Sequence, residues 1–410
     1  MSAPVPVVPA KRRLLFVDDE PSVLDGLRDL LRVRRREWDM VFSDSGEAAL
    51  AELEKSAFDV VVSDMRMPSM DGAELLKTVQ KRWPGTVRLI LSGHTEQEAA
   101  NRAIGVAHQF LTKPCNADTL AGTIERTLGV ISLLTSQSLR GSVGGIHSLP
   151  SRPRVHALIV EKLKDEHATN EDIAGLLEQD MALAARVLQM SNSGFFGLPR
   201  RITRLADAVG FLGQRTVEHL ALATGVYSPD RPLRGLDVPA LQKHALHVGS
   251  LARRLVSDRT LVDDAFVAGM LHDIGIMLLA THMPERFAET RAELFRTPRP
   301  LHEIEYEHGG VSHAEIGAYL LGLWNLPAPV VDAVAQHHRL DPDKPANELA
   351  TVLHVADVLA HELSGPVCAV TGACPPALDV VALERLGGLD RIEEWREKAR
   401  DLQDDLEEAA

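Results

Sequence analysis

Cysteines, aromatic residues and long apolar runs are all scarce in this chain of 410 residues. Three cysteines are too few for a disulfide framework and are typical of a reducing compartment. No apolar run reaches the ~18 residues of a membrane span, and early prolines interrupt the stretch that a signal peptide needs. We therefore expect a cytoplasmic protein with no membrane association, whose residues 1–11 form a disordered tail.

The charge balance is acidic, with 58 Asp and Glu against 44 Lys and Arg and a formal net charge of −14. A surface of that sign disfavours broad contact with DNA or with anionic membranes, so we expect no DNA partner. The composition, 45% hydrophobic and 25% charged, is that of a globular protein that can bury a core. The length favours two or three domains.

The first third of the chain alternates apolar runs with helical patterns. The runs at 14–17, 58–63, 87–92 and 109–112 are typical of buried strands, and helical spacing occupies 22–34, 71–82 and 119–134. Five strand–helix repeats in about 125 residues predict a doubly wound, five-stranded parallel sheet with helices on both faces. We assign this domain to residues 12–132.

Beyond Leu149 the strand signal stops, and one helical pattern follows another to about residue 365. The fold class is therefore α/β followed by all-α, with an all-helical domain over 149–365 and a Ser- and Gly-rich linker at 133–148. The predicted helices are 170–179, 181–191, 204–211, 238–256, 265–283 and 312–321.

Residues 366–410 form a C-terminal helical extension with an apolar seam on a highly charged helix. The seam residues recur every three or four positions: Leu389, Ile392, Trp395, Ala399, Leu402, Leu406 and Ala409. Two interpretations stay open, a helix docked on its own domain and a coiled coil in a homodimer. Three heptads are short for a coiled coil, which favours docking.

Polar side chains follow the predicted strands at the edge where ligands bind in an open parallel sheet. Asp18 and Asp19 follow the first run, Asp64 follows the second, and Ser92 and Lys113 end the last two. Clustered carboxylates repel one another unless a cation lies among them, and oxygen ligands suit Mg²⁺. A carboxylate can attack phosphorus, while a hydroxyl and an ammonium can hold a phosphoryl group. The pattern predicts Mg²⁺-dependent formation of an aspartyl phosphate.

These residues and the segments around them resemble the response-regulator receiver family. The matching segments are 15–20, 63–68, 70–72, 91–93 and 113–114. The resemblance implies that Asp64 accepts a phosphoryl group from a sensor histidine kinase, assisted by Ser92 and Lys113. It also implies the Mg²⁺ site, in which Asp19, Asp64 and the backbone carbonyl of Arg66 hold the ion directly and Asp18 supports it.

The same resemblance implies a way to pass the signal on. Phe110 stands at the aromatic switch position, where the family often has Tyr, and the peptide bond between Lys113 and Pro114 can be cis. Phosphorylation would shift the face beside the last strand, and the last helix of the domain runs directly into the linker.

The helical domain carries a second set of chemically competent residues, drawn from a total of 17 histidines. His272 and Asp273 lie in an apolar pattern, where an unpaired histidine or aspartate would be costly to bury. Hydrogen bonds or a shared metal would stabilise them, and imidazole with carboxylate suits Fe, Mn, Zn or Ni. The candidate ligands are His244, His272, Asp273, His313, His337, His338 and Asp357.

This set resembles the signature of the HD-superfamily metal-dependent phosphohydrolases in His244, His272, Asp273 and Asp357. The further histidines resemble the extra ligands of the cyclic-dinucleotide phosphodiesterase branch. That branch has Lys where this chain has Ile276, and Gly-Tyr-Pro where this chain has residues 339–342. We therefore do not expect cyclic-dinucleotide hydrolysis.

A longer stretch, 149–365, resembles the HDOD family, the HD-related output domain. The matching segments are 149–150, 180–188, 191–199, 202–203, 208–213, 324–327 and 337–338. Such domains are signalling output modules without a settled reaction. Two outputs stay open: binding or assembly with an unknown downstream protein, which we favour, and a receiver-gated metal-dependent phosphohydrolase or phosphodiesterase.

Overall fold

A computed structural model describes most of the chain in two compact units, whose main division falls between residues 145 and 146, with Ser193 grouped with the first unit. The described residues are 11–93, 106–113, 115–134, 137–144, 146, 149, 153–163, 165, 167–193, 201–223, 235–297, 299–341, 347–364 and 374–408. Residues 1–10 of the predicted tail and Pro114 lie outside them. The division falls inside the predicted linker.

The first unit contains a parallel sheet of five strands in the order β2-β1-β3-β4-β5, as predicted. The strands are β1 (Arg12–Val17), β2 (Trp38–Ser43), β3 (Val60–Asp64), β4 (Val87–Gly93) and β5 (Gln109–Lys113). Helices cover the faces of the sheet, so β3 is buried along its whole length and reads as a continuous apolar run. The edge strand β2 is partly exposed, and no apolar run marks it.

The described helices of this unit are α1 (Pro21–Leu30), α2 (Gly46–Lys55), α3 (Gly72–Arg82), α4 (Ala117–Leu133) and α5 (Gln137–Gly144). Helix α1 ends earlier than the predicted 22–34, and a 3₁₀ turn (Arg32–Arg34) follows it. Helix α5 occupies the segment predicted as a linker. The buried Arg88 of β4 donates a hydrogen bond of 2.7 Å to the carbonyl of Gly144, which ties the end of α5 to the sheet.

All regular secondary structure in the described part of the second unit is helical. Its α-helices are α6 (Pro153–Lys162), α7 (Asn170–Leu177), α8 (Met181–Ser191), α9 (Leu205–Leu212), α10 (Gln214–Ala223), α11 (Val238–Leu255), α12 (Val262–Leu271), α13 (Ile274–His282), α14 (Pro284–Arg296), α15 (Leu301–Gly309), α16 (His313–Leu323), α17 (Ala328–Gln336), α18 (Glu348–Ser364), α19 (Val380–Arg385) and α20 (Ile392–Glu408).

The prediction of one helix over 265–283 is wrong, because the helix is interrupted at His272 and Asp273. Asp273 has φ −95° and ψ 11°, outside the helical region, and separates α12 from α13. At Gly275 a Cβ atom would lie 1.9 Å from the carbonyl oxygen of His313, so only glycine lets α13 begin against α16. The break turns the His-Asp pair toward α16.

Helix α20 docks on its own unit, which is the favoured interpretation of the apolar seam. Ile392, Trp395 and Ala399 are buried, and the helix packs against α11 and α18. Leu402 is half-buried, and the side chains of Leu406 and Ala409 lie outside the described part. Whether the seam also supports a homodimer stays a prediction.

One stretch, Arg259–His282, is long and apolar enough by composition to cross a membrane. Its most apolar window is 89% buried within the structure. That burial is characteristic of a core helix pair, here α12 and α13.

Candidate functional site

Lys113 connects two carboxylates at the carboxyl edge of the sheet. Its Nζ atom lies 2.7 Å from Oδ2 of Asp18 and also contacts Oδ1 of Asp64. Both carboxylates are almost fully withdrawn from water. The parallel strand order brings Lys113 and Asp18 together although they are 95 positions apart in the chain.

Asp64, at the end of β3, is contacted by Lys113 and by the backbone that follows the strand. The backbone N–H of Arg66 donates a hydrogen bond of 2.8 Å to Oδ2 of Asp64. Burial raises the pKa of Asp64, while Lys113 opposes that rise. A Cβ atom at Gly72 would lie 2.1 Å from the Asp64 carbonyl oxygen, so a glycine is required where α3 approaches the strand end.

The remaining predicted receiver residues lie on or beside the same edge. Ser92 is fully buried and sits opposite Thr112 in the parallel register of β4 and β5. Phe110 is buried in the core of the first unit, and Asp19 is half-buried beside Asp18. The structure places these residues, and their roles stay predictions.

All seven candidate ligands of the second unit converge. They come from α11, the α12–α13 break, the start of α16, the end of α17 and α18. They form two groups, and the candidate ligand atoms of each group lie within 4.8 Å of one another. The groups are His244, His272 and Asp357, and Asp273, His313, His337 and His338.

Asp273 spans the two groups with its two carboxylate oxygens. Oδ2 lies 3.3 Å from Nε2 of His272, in the first group. Oδ1 lies 3.2 Å from Nε2 of His313 and 3.8 Å from Nε2 of His337, in the second. A carboxylate so placed can bridge two metal ions.

The histidine rings are oriented by bonds at their other nitrogen. Nδ1 of His272 donates to the carbonyl of Gly269, and Nδ1 of His337 donates to the carbonyl of Val334, each at 2.7 Å. Both bonds leave Nε2 pointing into the cluster. Metal-binding histidines are commonly fixed in this way, because the second bond sets the tautomer.

Several ligand atoms are buried without a hydrogen-bond partner in the described structure. They are Nε2 of His272, Nε2 of His337, Nδ1 of His338 and Oδ2 of Asp357. A buried polar atom that lacks a partner is costly and needs compensation. Because all four atoms belong to the cluster, bound metal ions would provide that compensation, and the donor set fits Fe, Mn, Zn or Ni.

The charges within the cluster are strongly coupled. Burial alone would lower the pKa of His272, but Asp273 and Asp357 outweigh it and raise that pKa to about 10. Burial and the neighbouring histidines lower the pKa of His337 to about 3, and burial with His337 lowers the pKa of His338 well below its usual range. These two neutral imidazoles are available as ligands.

A small cavity of about 30 Å³ opens onto the cluster, enough for one or two water molecules. Its lining residues are Asp273, Ile276, Pro300, Leu301, His302, His313, His338, Asp357, His361, Cys374 and Pro376. None of these is Lys or Arg. Sequence reasoning missed His361, although it follows Asp357 by one helical turn and therefore shares its face of α18.

It also missed His302, whose ring stacks on His338 with centroids 4.3 Å apart. The spacing of His302 from the other histidines matches none of the ligand patterns used to select candidates.

Asn192 has a structural role. Its side chain donates to the carbonyls of Leu188 and Ile202 and accepts from the backbone N–H of Ile202. Asn325, at φ 64°, donates to the backbone carbonyl of Asn192 at 2.7 Å. The two Asn-containing segments that carry the HDOD resemblance thus meet in one hydrogen-bond network, away from the cavity lining.

Similar proteins are known for each part of the chain. An uncharacterized protein of Treponema pallidum is 30% identical over 48% of this chain, and the transcriptional regulatory protein GlrR of Escherichia coli is 36% identical over 32%. The chain covers 38% and 29% of these two relatives, respectively. The solved response regulator MmoQ of Methylococcus capsulatus (fragment 20–298) is 25% identical, covering 58% of this chain and 91% of its own, with a TM-score of 0.45.

Family models match both units. The response regulator receiver domain matches residues 14–125, and the HDOD domain matches residues 149–340. These matches confirm the two resemblances found in the sequence and the order of the two domains. The chain is a response regulator that joins a receiver domain to an HDOD domain.

Proposed function

We propose that the receiver domain is switched by phosphorylation of Asp64. Receiver domains in general take the phosphoryl group from a histidine kinase. The contact of Lys113 with both Asp18 and Asp64 supports this role, because a cation placed there can pair with the added phosphoryl group. Asp18, Asp19, Asp64 and the carbonyl of Arg66 would hold Mg²⁺, which neutralises phosphoryl oxygens during transfer.

For the second unit we propose a metal-dependent phosphohydrolase under receiver control. The observation that carries this proposal is the convergence of seven ligand residues into two adjacent groups with buried, unpartnered ligand atoms. Two metal ions supply a polarised phosphoryl oxygen and a water whose pKa is low enough for attack near neutral pH. The sequence alone favoured binding or assembly, and the geometry moves the preference to hydrolysis.

The chain's own residues would have different roles in such a site. Asp273 would help to hold metal in both groups, since its two oxygens face both. The cavity above Asp273 and Asp357 would admit the water, and the buried histidines would exclude other solvent. His361, 3.4 Å from Oδ1 of Asp357, would orient that carboxylate.

Binding or assembly with a downstream protein is the second candidate. Ile276, Pro300, Leu301 and Pro376 give the cavity apolar walls, and no described lining residue is Lys or Arg. A polyanionic substrate would therefore find no lysine or arginine to pair with among the described lining residues. This also disfavours cyclic dinucleotides and favours substrates with one phosphate.

The test is hydrolysis of chromogenic mono- and diesters of phosphate by metal-loaded protein. We expect turnover of p-nitrophenyl phosphate by the parent, its loss in Asp273→Ala, and parental turnover in the control Asp263→Asn, an exposed aspartate of α12. Metal-loaded parent that turns over neither ester would refute hydrolysis of simple esters and favour the binding function.

A further inference from the structure

Glu305 is a buried carboxylate that contacts a single candidate ligand twice. It lies on α15 and is 1% exposed. Its Oε2 atom accepts a hydrogen bond of 2.6 Å from Nδ1 of His313 and another of 2.8 Å from the backbone N–H of His313. One oxygen therefore fixes both the ring of His313 and the first residue of α16.

This arrangement decides which nitrogen of His313 faces the cluster. Because Nδ1 is committed to Glu305, Nε2 points inward, 3.2 Å from Oδ1 of Asp273 and 2.9 Å from Nε2 of His338. Two facing imidazole nitrogens at that distance need a proton or a metal ion between their lone pairs. The orientation of His313 is thus the one that a metal in the second group requires.

Glu305 differs from the groups that orient the neighbouring ligands. His272 and His337 donate to neutral backbone carbonyls, whereas His313 donates to a carboxylate. A buried charge is expensive, and Oε1 of Glu305 has no hydrogen-bond partner among the described residues. A neutral acceptor would orient the ring at lower cost. Arg286 is close enough to offset part of the charge of Glu305, and a cation bound by the oriented His313 ring would offset more.

We propose that Glu305 is the positioning residue of the second metal group, composed of Asp273, His313, His337 and His338. It sets the tautomer of His313 and, through the ring, makes Nε2 a stronger ligand for the metal. The inference rests on the proposed metal site and assigns a role to a residue outside the ligand set.

The variants separate charge from packing. Glu305→Gln keeps the shape and an acceptor for Nδ1 but removes the charge, and Glu305→Asp keeps the charge with a shorter reach. Glu303→Gln is the matched control, because Glu303 is exposed on the same helix. All carry Asp64→Asn, so that the receiver does not contribute bound metal.

The experiment is a competition titration of Zn²⁺ and Co²⁺ against a chromophoric chelator, with the visible spectrum of the Co²⁺ form as a second readout. In Glu305→Gln we expect one of two dissociation constants to rise about 10- to 100-fold, the other to hold, and the Co²⁺ spectrum to change. Glu305→Asp should be intermediate and Glu303→Gln parental. Thermal melting of the metal-free variants checks that the fold is kept.

Two outcomes overturn the proposal, and they can be told apart. Unchanged constants and an unchanged spectrum in Glu305→Gln and Glu305→Asp refute the role of Glu305 and leave the metal site standing. No metal bound by the parent refutes the metal site as well. If Glu305→Gln fails to fold, Glu305→Asp becomes the test. Metal dissociation constants equal to those of the parent in Glu305→Asp would then contradict the proposal.

Discussion

Nε2 of His244 lies 3.1 Å from Oδ1 of Asp357, although 113 positions separate the two residues in the chain. They meet because α11 and α18 pack against each other along the core of the second unit. Both residues are buried, and the ring of His361 on α18 lies against that of His244 with centroids 4.3 Å apart, so a polar cluster is built into the helix interface. The site is therefore a product of helix packing.

His244→Asn should remove one ligand of the first metal group and leave the second group intact. We expect bound metal to fall from about two ions per chain to about one. The measurement is metal content by mass spectrometry after reconstitution and desalting. His247→Asn, on the same helix but outside both groups, is the control and should keep the parental content. Equal content in the parent and His244→Asn would remove His244 from the ligand set.

Asp64→Asn should abolish phosphorylation of the receiver. The amide cannot form an acyl phosphate, and no other aspartate lies in contact with Lys113 and Asp18 together in the described structure. Incubation with Mg²⁺ and acetyl phosphate, followed by intact mass, gives the result. Asp44→Asn, an exposed carboxylate just past β2, should still gain one phosphoryl group. A phosphorylated Asp64→Asn protein would move the acceptor elsewhere.

Lys113→Met should destabilise the receiver in the absence of Mg²⁺. Loss of the partly exposed ammonium leaves Asp18 and Asp64 buried without their cation, at a cost of about 2 kcal/mol of unfolding free energy. Saturating Mg²⁺ should restore much of that loss, since a divalent cation replaces the lost charge. Urea unfolding with and without Mg²⁺ checks this, and a penalty that Mg²⁺ does not reduce would argue against a cation among these carboxylates.

Asn192→Ala should lower the stability of the HDOD domain by about 2 kcal/mol, because the half-buried carbonyl and N–H of Ile202 both lose their side-chain partner. Asn192→Asp keeps the acceptor for Ile202 but turns a charge toward two carbonyls, and should cost at least as much. Metal content should stay parental in both. Loss of bound metal in a folded Asn192 variant would show that this network supports the metal site as well as the fold.

The sequence predicted the five-stranded sheet and named the candidate ligands that the fold brings together, for different reasons. Strands β3 and β4 are buried on both faces and read as apolar runs, whereas the edge strand β2 has no such run. The candidate ligands could be named because histidines and aspartates are conspicuous in apolar helices. Asp273 was placed within a helix because local spacing cannot show the break that α16 imposes at Gly275.

Residues whose role is to position another residue could not be predicted from the sequence. Glu305 lies eight positions before His313, on a different helix, and only tertiary packing brings its carboxylate to the ring. Helix α5 was taken for linker because its sequence is rich in Ser and Gly, and its attachment depends on Arg88 of β4. In both cases the decisive contact lies outside the local sequence window.

The two proposed metal groups are tested by the metal content of the full chain, comparing Asp64→Asn with Asp64→Asn/Asp273→Ala. Because Asp273 faces both groups, we expect about two transition-metal ions per chain in the first protein and almost none in the second. No bound metal in either protein, even after reconstitution with Fe²⁺, Mn²⁺ or Zn²⁺, would contradict this expectation and leave the histidine cluster a structural feature of the HDOD domain.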